Sequence, residues 1–100
     1  MATFKIKAKA REDLKAIAIF THKRWGRDQR NNYLMQFDDS FNQLAENPHL
    51  GRRCDNIRHG YWKLPVVSHV IYYRMGNHDC VEIIRILHKH MDVSSQLFKA

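Results

Sequence analysis

The chain has 100 residues, of which 44% are hydrophobic, 11% are aromatic and 27% are charged. This length supports one hydrophobic core, because two cores would each bury too little apolar surface to offset their chain entropy. The composition is typical of a globular domain and excludes a disordered tail. We therefore expect residues 1–100 to form a single domain.

The charge of the chain points to an anionic partner. Lys and Arg number 17 against 10 Asp and Glu, which gives a formal net charge of +7. Such a surface suits a nucleic acid or an acidic protein, and charge alone does not choose between them. Because no apolar run approaches the roughly 20 residues of a membrane-spanning helix, we expect a cytoplasmic protein with no membrane partner.

The first half of the chain predicts a strand followed by two helices. Residues 3–8 alternate between apolar and basic side chains, the period of a half-buried strand at or near a sheet edge. Apolar residues at helical spacing then predict helices from about Ala10 to Trp25 and from about Asp28 to Glu46. Gly26 and Asn47-Pro48 are placed to end them. So short a connection predicts an antiparallel hairpin.

The second half predicts three strands of a meander, at roughly Ile57 to Leu64, His69 to Arg74 and Val81 to Leu87. The segment 75–79 has the length of an ordinary hairpin connection. It should place Tyr72 and Tyr73 opposite the Ile83-Ile84 region.

The last predicted strand is apolar on both faces. Val81, Ile83 and Leu87 alternate there with Ile84 and Ile86. A strand of this kind belongs inside a sheet, and we place it beside the first strand. The element order then predicts an α+β fold in which an N-terminal strand and a helical hairpin pack on a small, mainly antiparallel sheet.

Seven histidines raise the question of chemistry. The chain has no HExxH, paired CxxC or glycine-rich phosphate loop, so we expect no metal and no cofactor. Metal-free RNA cleavage stays open, because it needs a proton acceptor and cationic groups. Its candidates are His69, Arg85, His88 and His90. The alternative is structural: Arg85 would be ion-paired with Glu82 or Asp92, and His88 would be a buried, hydrogen-bonded imidazole.

Three segments of the second half carry a family resemblance. They read GYWKLP at 60–65, SHVIYYR at 68–74 and IRILHKHMD at 84–92. These segments resemble the ParE branch of the RelE/ParE toxins, which has a Ser-His-x-Ile-x-Tyr-Arg strand and an Arg-Ile-Leu-His-x-x-Met-Asp ending. His90 departs from the Arg often found before Met-Asp in that branch.

The resemblance implies a function as well as the hairpin-on-sheet fold. ParE-like toxins poison DNA gyrase by stabilising its cleaved-DNA state, and a ParD-like antitoxin silences them by binding across the hairpin and sheet as a hetero-oligomer. The related RelE branch instead cuts messenger RNA on the ribosome. That branch commonly has arginines where this chain has His69 and His90. A histidine with its ordinary pKa of about 6.5 is largely neutral at cytosolic pH, which favours the gyrase inhibitor over the ribonuclease.

Two sets of contact residues follow from this interpretation. The candidates for contact with the target are Lys89, His90, Met91, Asp92 and Phe98. The apolar stripe and basic positions of the hairpin suit an acidic segment that folds on binding. The candidates for antitoxin binding are Leu14, Ile17, Ile19, Arg24 and Arg74.

Overall fold

The computed structural model describes residues 3–91, which form a helical hairpin packed on a five-stranded sheet. The helices are α1 (Ala8–Trp25) and α2 (Arg27–Glu46), and a short 3-10 turn follows at Pro48–Leu50. The strands are β1 (Thr3–Ile6), β2 (Arg52–Arg53), β3 (Tyr61–Val66), β4 (His69–Met75) and β5 (Cys80–His88). The predicted α+β fold class is confirmed.

The sheet has the strand order β1-β5-β4-β3-β2. Strand β1 lies at one edge and pairs in parallel with β5, while the other neighbours are antiparallel. The prediction of an edge strand beside an apolar central strand is therefore confirmed. Strand β5 lies inside the sheet, with Ile83 and Ile86 buried on one face and Leu87 buried on the other, so neither face requires alternating polar residues.

A single residue, Gly26, joins the two helices. Its φ of 94° lies in the region that side chains disfavour, and its N–H donates to the carbonyl of His22 over 2.9 Å. The chain reverses there, so α1 and α2 pack on each other and cover one face of the sheet. Helix α1 begins at Ala8, ahead of the predicted Ala10, because Lys7 already accepts the first helical hydrogen bond, from Arg11.

The main core lies between the hairpin and the sheet. It combines apolar side chains of both helices with alternate residues of the inner strands. Its buried members include Ile17, Phe37, Phe41, Leu44, Ile71, Tyr73, Val81, Ile83 and Ile86. A second buried cluster, on the opposite face, contains Cys54, Tyr61, Tyr72 and Leu87. Apolar side chains are therefore buried on both faces of the sheet.

Residues 57–60 do not belong to a strand, so that part of the prediction was wrong. The segment from Cys54 to Gly60 is a turn, in which Ile57 donates to the carbonyl of Cys54 and Gly60 donates to the carboxylate of Asp55. These local hydrogen bonds satisfy backbone N–H groups of the turn without pairing to a neighbouring strand. Strand β3 therefore starts at Tyr61, and the two-residue strand β2 was missed.

A β-bulge in β5 corrects the predicted alternation of its side chains. Tyr73 pairs with Ile83 as expected, but Tyr72 pairs with Arg85, so Ile84 is an extra residue on β5. An extra residue exchanges the faces of everything beyond it. Ile86 consequently joins the main core, and Leu87 joins the second cluster, which is the reverse of the sequence-based assignment.

Candidate functional site

Three histidines meet where β4 begins and β5 ends. His69 and His88 are paired residues of the antiparallel ladder, and their ring centroids are 5.3 Å apart. His90 follows in the turn after β5, with its ring centroid 5.3 Å from that of His88. Its N–H donates to Nδ1 of His88 over 3.2 Å. Residues far apart in the chain are thus brought to one end of the sheet.

Tyr33 of α2 adds a fourth ring to this cluster. Its hydroxyl lies 2.5 Å from Nδ1 of His69. Burial raises the pKa of Tyr33, and burial, followed by the nearby His88, lowers the pKa of His69. The hydrogen bond therefore joins a protonated hydroxyl to a neutral imidazole. Tyr33 was not among the site residues predicted from the sequence, because nothing local indicates a partner 36 residues away.

Arg85 lies next to the cluster in an ion pair. Its Nε and Nη2 donate to the two carboxylate oxygens of Asp13, over 2.7 and 2.9 Å. Asp13 also accepts the backbone N–H of Ile86 over 2.9 Å. The expected ion pair of Arg85 is therefore present, but the prediction of Glu82 as its partner was wrong, because Glu82 pairs with Arg74. The other predicted partner, Asp92, lies outside the described residues 3–91. Asp13 of α1 reaches Arg85 because β1 ends at Ile6 and leaves this edge of β5 open to the helix.

Two adjoining depressions open on this cluster, and we call them together the histidine groove. One holds about 290 Å³ and lies between α1 and the end of β5, with Asp13, Ile17 and Met91 in its wall. The other holds about 350 Å³ and lies between the two helices and the β3–β4 turn, with Trp25, Tyr33 and Val67 in its wall. Both are lined by Phe20, His69 and His88.

The rim of the groove carries large apolar side chains in contact with solvent. Phe20 is 65% exposed, Trp25 63% and Val67 67%. Arg24 adds a cation, with its guanidinium carbon 5.3 Å from the centroid of the Trp25 ring. Exposed apolar patches of this kind mark places where a partner or ligand binds.

The sequence matches a family model along nearly its whole length. Residues 4–93 match the ParE toxin of the type II toxin–antitoxin system parDE. The chain belongs to the ParE toxin family. The resemblance seen in the three C-terminal segments is thereby confirmed.

Curated ParE toxins align over most of the chain. Toxin ParE1 of Mycobacterium tuberculosis (strain CDC 1551 / Oshkosh) is 40% identical over 88 residues, which are 88% of this chain and 90% of that protein. Toxin ParE1 of Caulobacter vibrioides is 34% identical over 97 residues, covering 97% and 99% of the two chains. The relatives are therefore of similar length to this chain.

Solved structures share the ParE fold at low sequence identity. A chain of the chromosomal ParDE toxin–antitoxin system from P. aeruginosa superposes with a TM-score of 0.75 at 19% identity, covering 88% of this chain and 96% of that one. A chain of the RelBE2 toxin–antitoxin complex from Mycobacterium tuberculosis gives 0.62 at 21% identity, covering 88% and 98%. The hairpin-on-sheet architecture is thus common to ParE and RelE toxins.

The target-contact candidates of this ParE toxin lie partly at the groove. Lys89, His90 and Met91 are exposed in the turn after β5, and the N–H of Lys89 donates to the carbonyl of Ser68. Asp92 and Phe98 lie outside the described residues 3–91. Their contact with a target stays a prediction.

The antitoxin-binding candidates occupy different environments. Ile19 and Arg24 are exposed on α1, whereas Ile17 is buried and Leu14 packs against the same core. Arg74 lies on β4, where its Nε is 2.6 Å from the carboxylate of Glu82. Ile19 and Arg24 are therefore the two of this set that present most surface to a partner. The role of the set stays a prediction.

Neither a metal cluster nor a membrane span is found within residues 3–91. No group of three His, Cys, Asp or Glu side chains there is arranged to hold a metal ion. No helix in the same range is both long and apolar enough to cross a membrane.

Proposed function

We propose that the chain is a protein inhibitor that poisons DNA gyrase by stabilising its cleaved-DNA state. The observation that carries the proposal is the match to ParE toxins over residues 4–93. Two features of the histidine groove support an inhibitor over a nuclease. Asp13 holds the guanidinium of Arg85 through two hydrogen bonds. Burial keeps His69 neutral near pH 7, so neither residue supplies the unengaged positive charge that a phosphorane needs.

The proposed regulator is a ParD-like antitoxin that forms a hetero-oligomer with the chain. The solved relative from P. aeruginosa is itself part of a ParDE system, which supports this choice. The chain carries a net charge of +7, so an acidic antitoxin segment is the complementary partner. Ile19 and Arg24 offer an apolar and a cationic contact on the exposed side of α1.

A RelE-like, ribosome-dependent messenger endonuclease is the second candidate. The cluster of His69, His88 and His90 favours it, because imidazoles can serve as general acid and base in RNA cleavage. The hydrogen bond between Tyr33 and His69 would then orient the His69 ring. Under this alternative, His69→Ala abolishes toxicity while antitoxin binding is unchanged.

The test is a cleavage assay with purified gyrase, supercoiled plasmid, ATP and the purified chain. Linear DNA is scored after detergent and protease. We expect linear DNA to accumulate with the wild type and, reduced by no more than a few-fold, with His69→Ala, because no proton transfer by His69 is involved. Lys89→Ala should reduce it several-fold, whereas Met35→Ala, an exposed apolar position outside the groove, is the matched control. Unchanged supercoiling at excess toxin would refute the proposal, and ribosome-dependent messenger cleavage would then be assayed.

A further inference from the structure

Two aromatic rings project from the end of α1 at the mouth of the histidine groove. Phe20 and Trp25 are both more than 60% exposed, although other large apolar side chains of the hairpin, such as Phe37 and Phe41, are buried. The guanidinium of Arg24 packs against Trp25. A flat ring beside a cation suits a nucleotide, since the ring stacks on the base and the cation contacts the phosphate.

Polar side chains line the larger depression together with these rings. This depression, of about 350 Å³, includes Gln29, Gln36, Ser68, His69 and His88 in its lining. Amide, hydroxyl and imidazole groups can donate to and accept from base edges. A nucleobase can use both the rings and the polar groups, because its faces stack and its edges form hydrogen bonds.

The helix junction beside the groove is strongly basic. Residues 22–30 contain Lys23, Arg24, Arg27 and Arg30 against the single carboxylate of Asp28. Lys23 and Arg24 line a shallow depression together with Phe20 and Trp25. The rings and the cations therefore share one surface, and this combination is typical of a surface that binds a phosphodiester chain.

A strained turn supports a binding role for the same groove. Val67 occupies the β3–β4 turn with a φ of 56° and is 67% exposed. A β-branched residue rarely adopts this conformation, and its exposed side chain gains nothing from core packing. Strain of this kind concentrates at functional sites, and Val67 and Trp25 both line the groove.

We infer that the histidine groove binds an unpaired DNA strand, with bases stacking on Phe20 and Trp25 and phosphates contacting Lys23 and Arg24. The strand is unpaired because the bases of a single strand are free to stack on exposed rings beside a basic surface, whereas those of a duplex stack on one another. The choice of DNA over RNA rests on the proposed function, since gyrase carries cleaved DNA. The exposed rings and the neighbouring cations favour a nucleotide strand whatever the target of the toxin.

The test uses the full chain without gyrase. In a Trp62→Phe background Trp25 is the only tryptophan, so its fluorescence reports on stacking. Titration with a 12-nucleotide oligo(dT) should quench it saturably. In anisotropy measurements with labelled oligo(dT), Trp25→Ala should weaken binding about tenfold. Arg24→Gln should lower the slope of log affinity against log salt by about 0.7, the value for one lost contact with single-stranded phosphate.

Controls and competitors make the outcome decisive. Met35→Ala removes an exposed apolar side chain of α2 that does not line the groove, and should leave binding unchanged. A 12-base-pair duplex should bind more weakly and leave Trp25 unquenched. Equal effects of Trp25→Ala and Met35→Ala would overturn the inference. So would tighter binding of a glutamate-rich peptide, which would make the groove a protein site, or of oligo(U), which would make the strand RNA.

The oligonucleotide-binding test and the gyrase cleavage assay can fail independently of each other. If oligo(dT) binds but gyrase does not cleave, the proposed target is wrong and the nucleotide groove stands. If gyrase cleaves but Trp25 is not quenched by any strand, the toxin acts through protein contacts and the inference is wrong.

Discussion

Val67 and Asp79 both occupy turn positions that a side chain disfavours. Their φ values are 56° and 58°, and His78 beside Asp79 has 57°. Two consecutive positive φ angles are the geometry of a type I′ hairpin turn, for which glycine at the second position is preferred. The two turns differ in their surroundings, because Val67 lines the histidine groove and Asp79 does not.

Glycine variants at the two positions therefore distinguish the effect of backbone strain on stability from an effect on binding. We expect Val67→Gly and Asp79→Gly each to raise the free energy of unfolding by about 1 kcal/mol, since glycine removes the clash of the Cβ. Urea denaturation measures both changes. Only Val67→Gly should also weaken oligo(dT) binding, so equal binding by the two variants would show that Val67 is not a contact.

His69 makes the stability of the chain depend on pH. Burial and the neighbouring His88 lower its pKa below 6.5, and Asp13 opposes them more weakly. Between the folded-state pKa and 6.5 the unfolded chain therefore binds more protons than the folded chain. The stability contributed by the neutral ring is fully present above pH 6.5 and is lost as the pH falls through the folded-state pKa.

The measurement is urea denaturation at pH 7.5 and at pH 5 for the wild type and for His69→Gln. We expect the wild type to lose more stability on acidification than the variant, because glutamine does not titrate. An identical loss in both proteins would contradict the assignment of a lowered pKa to His69.

At the scale of elements, the carboxylate of Asp13 links α1 to the unpaired edge of β5 by hydrogen bonds. It accepts two hydrogen bonds from Arg85 and one from the backbone of Ile86. The side chains of Asp13 and Arg85 are only 15% and 14% exposed. The carboxylate accepts a backbone N–H at a strand edge that could otherwise pair with a strand of another chain.

Replacing Asp13 should destabilise the chain markedly. Asp13→Ala removes the carboxylate from a largely buried guanidinium and a backbone N–H, which costs about 2–4 kcal/mol. Thermal and urea unfolding measure the loss. Arg53→Gln is the matched control, since the Arg53–Asp55 pair is much more exposed and should leave the urea midpoint unchanged. Similar midpoints for Asp13→Ala and the wild type would refute the account.

At the scale of the whole molecule, one core joins the hairpin to the sheet. Phe37 is fully buried at its centre, in contact with Tyr33 and Phe41 of the same helix and with His69 of β4. The same packing that stabilises the fold therefore also supports the ring of His69. The +7 net charge acts at this scale too, because it attracts anionic partners from a distance.

A pair of variants on α2 tests this coupling. Phe37→Ala should cost about 3–5 kcal/mol, through lost burial and the cavity left behind. Met35→Ala, two residues away and 62% exposed, should change stability by less than about 0.5 kcal/mol. Calorimetry should give one cooperative transition for each. Separate melting of the hairpin and the sheet would contradict a single core.

The sequence by itself determined the element types, the hairpin and the central position of the last strand. Each has a local cause: apolar residues repeat with the helical period in α1 and α2, Gly26 permits the reversal between them, and β5 is apolar on both faces. The three C-terminal segments indicated the family for a similar reason, because short contiguous motifs can be recognised without knowledge of the fold. His69, His88 and His90 were also found as candidates from the sequence.

Only the tertiary structure decided which residues meet. The hydrogen bond between Tyr33 and His69 joins residues 36 positions apart, and the ion pair of Asp13 with Arg85 joins residues 72 positions apart. The bulge at Ile84 exchanged the faces of Ile86 and Leu87. Periodicity reports how often a side chain faces one direction, but not the register at which two elements pack. That register is set by long-range packing, which places the groove and its exposed rings at one end of the sheet.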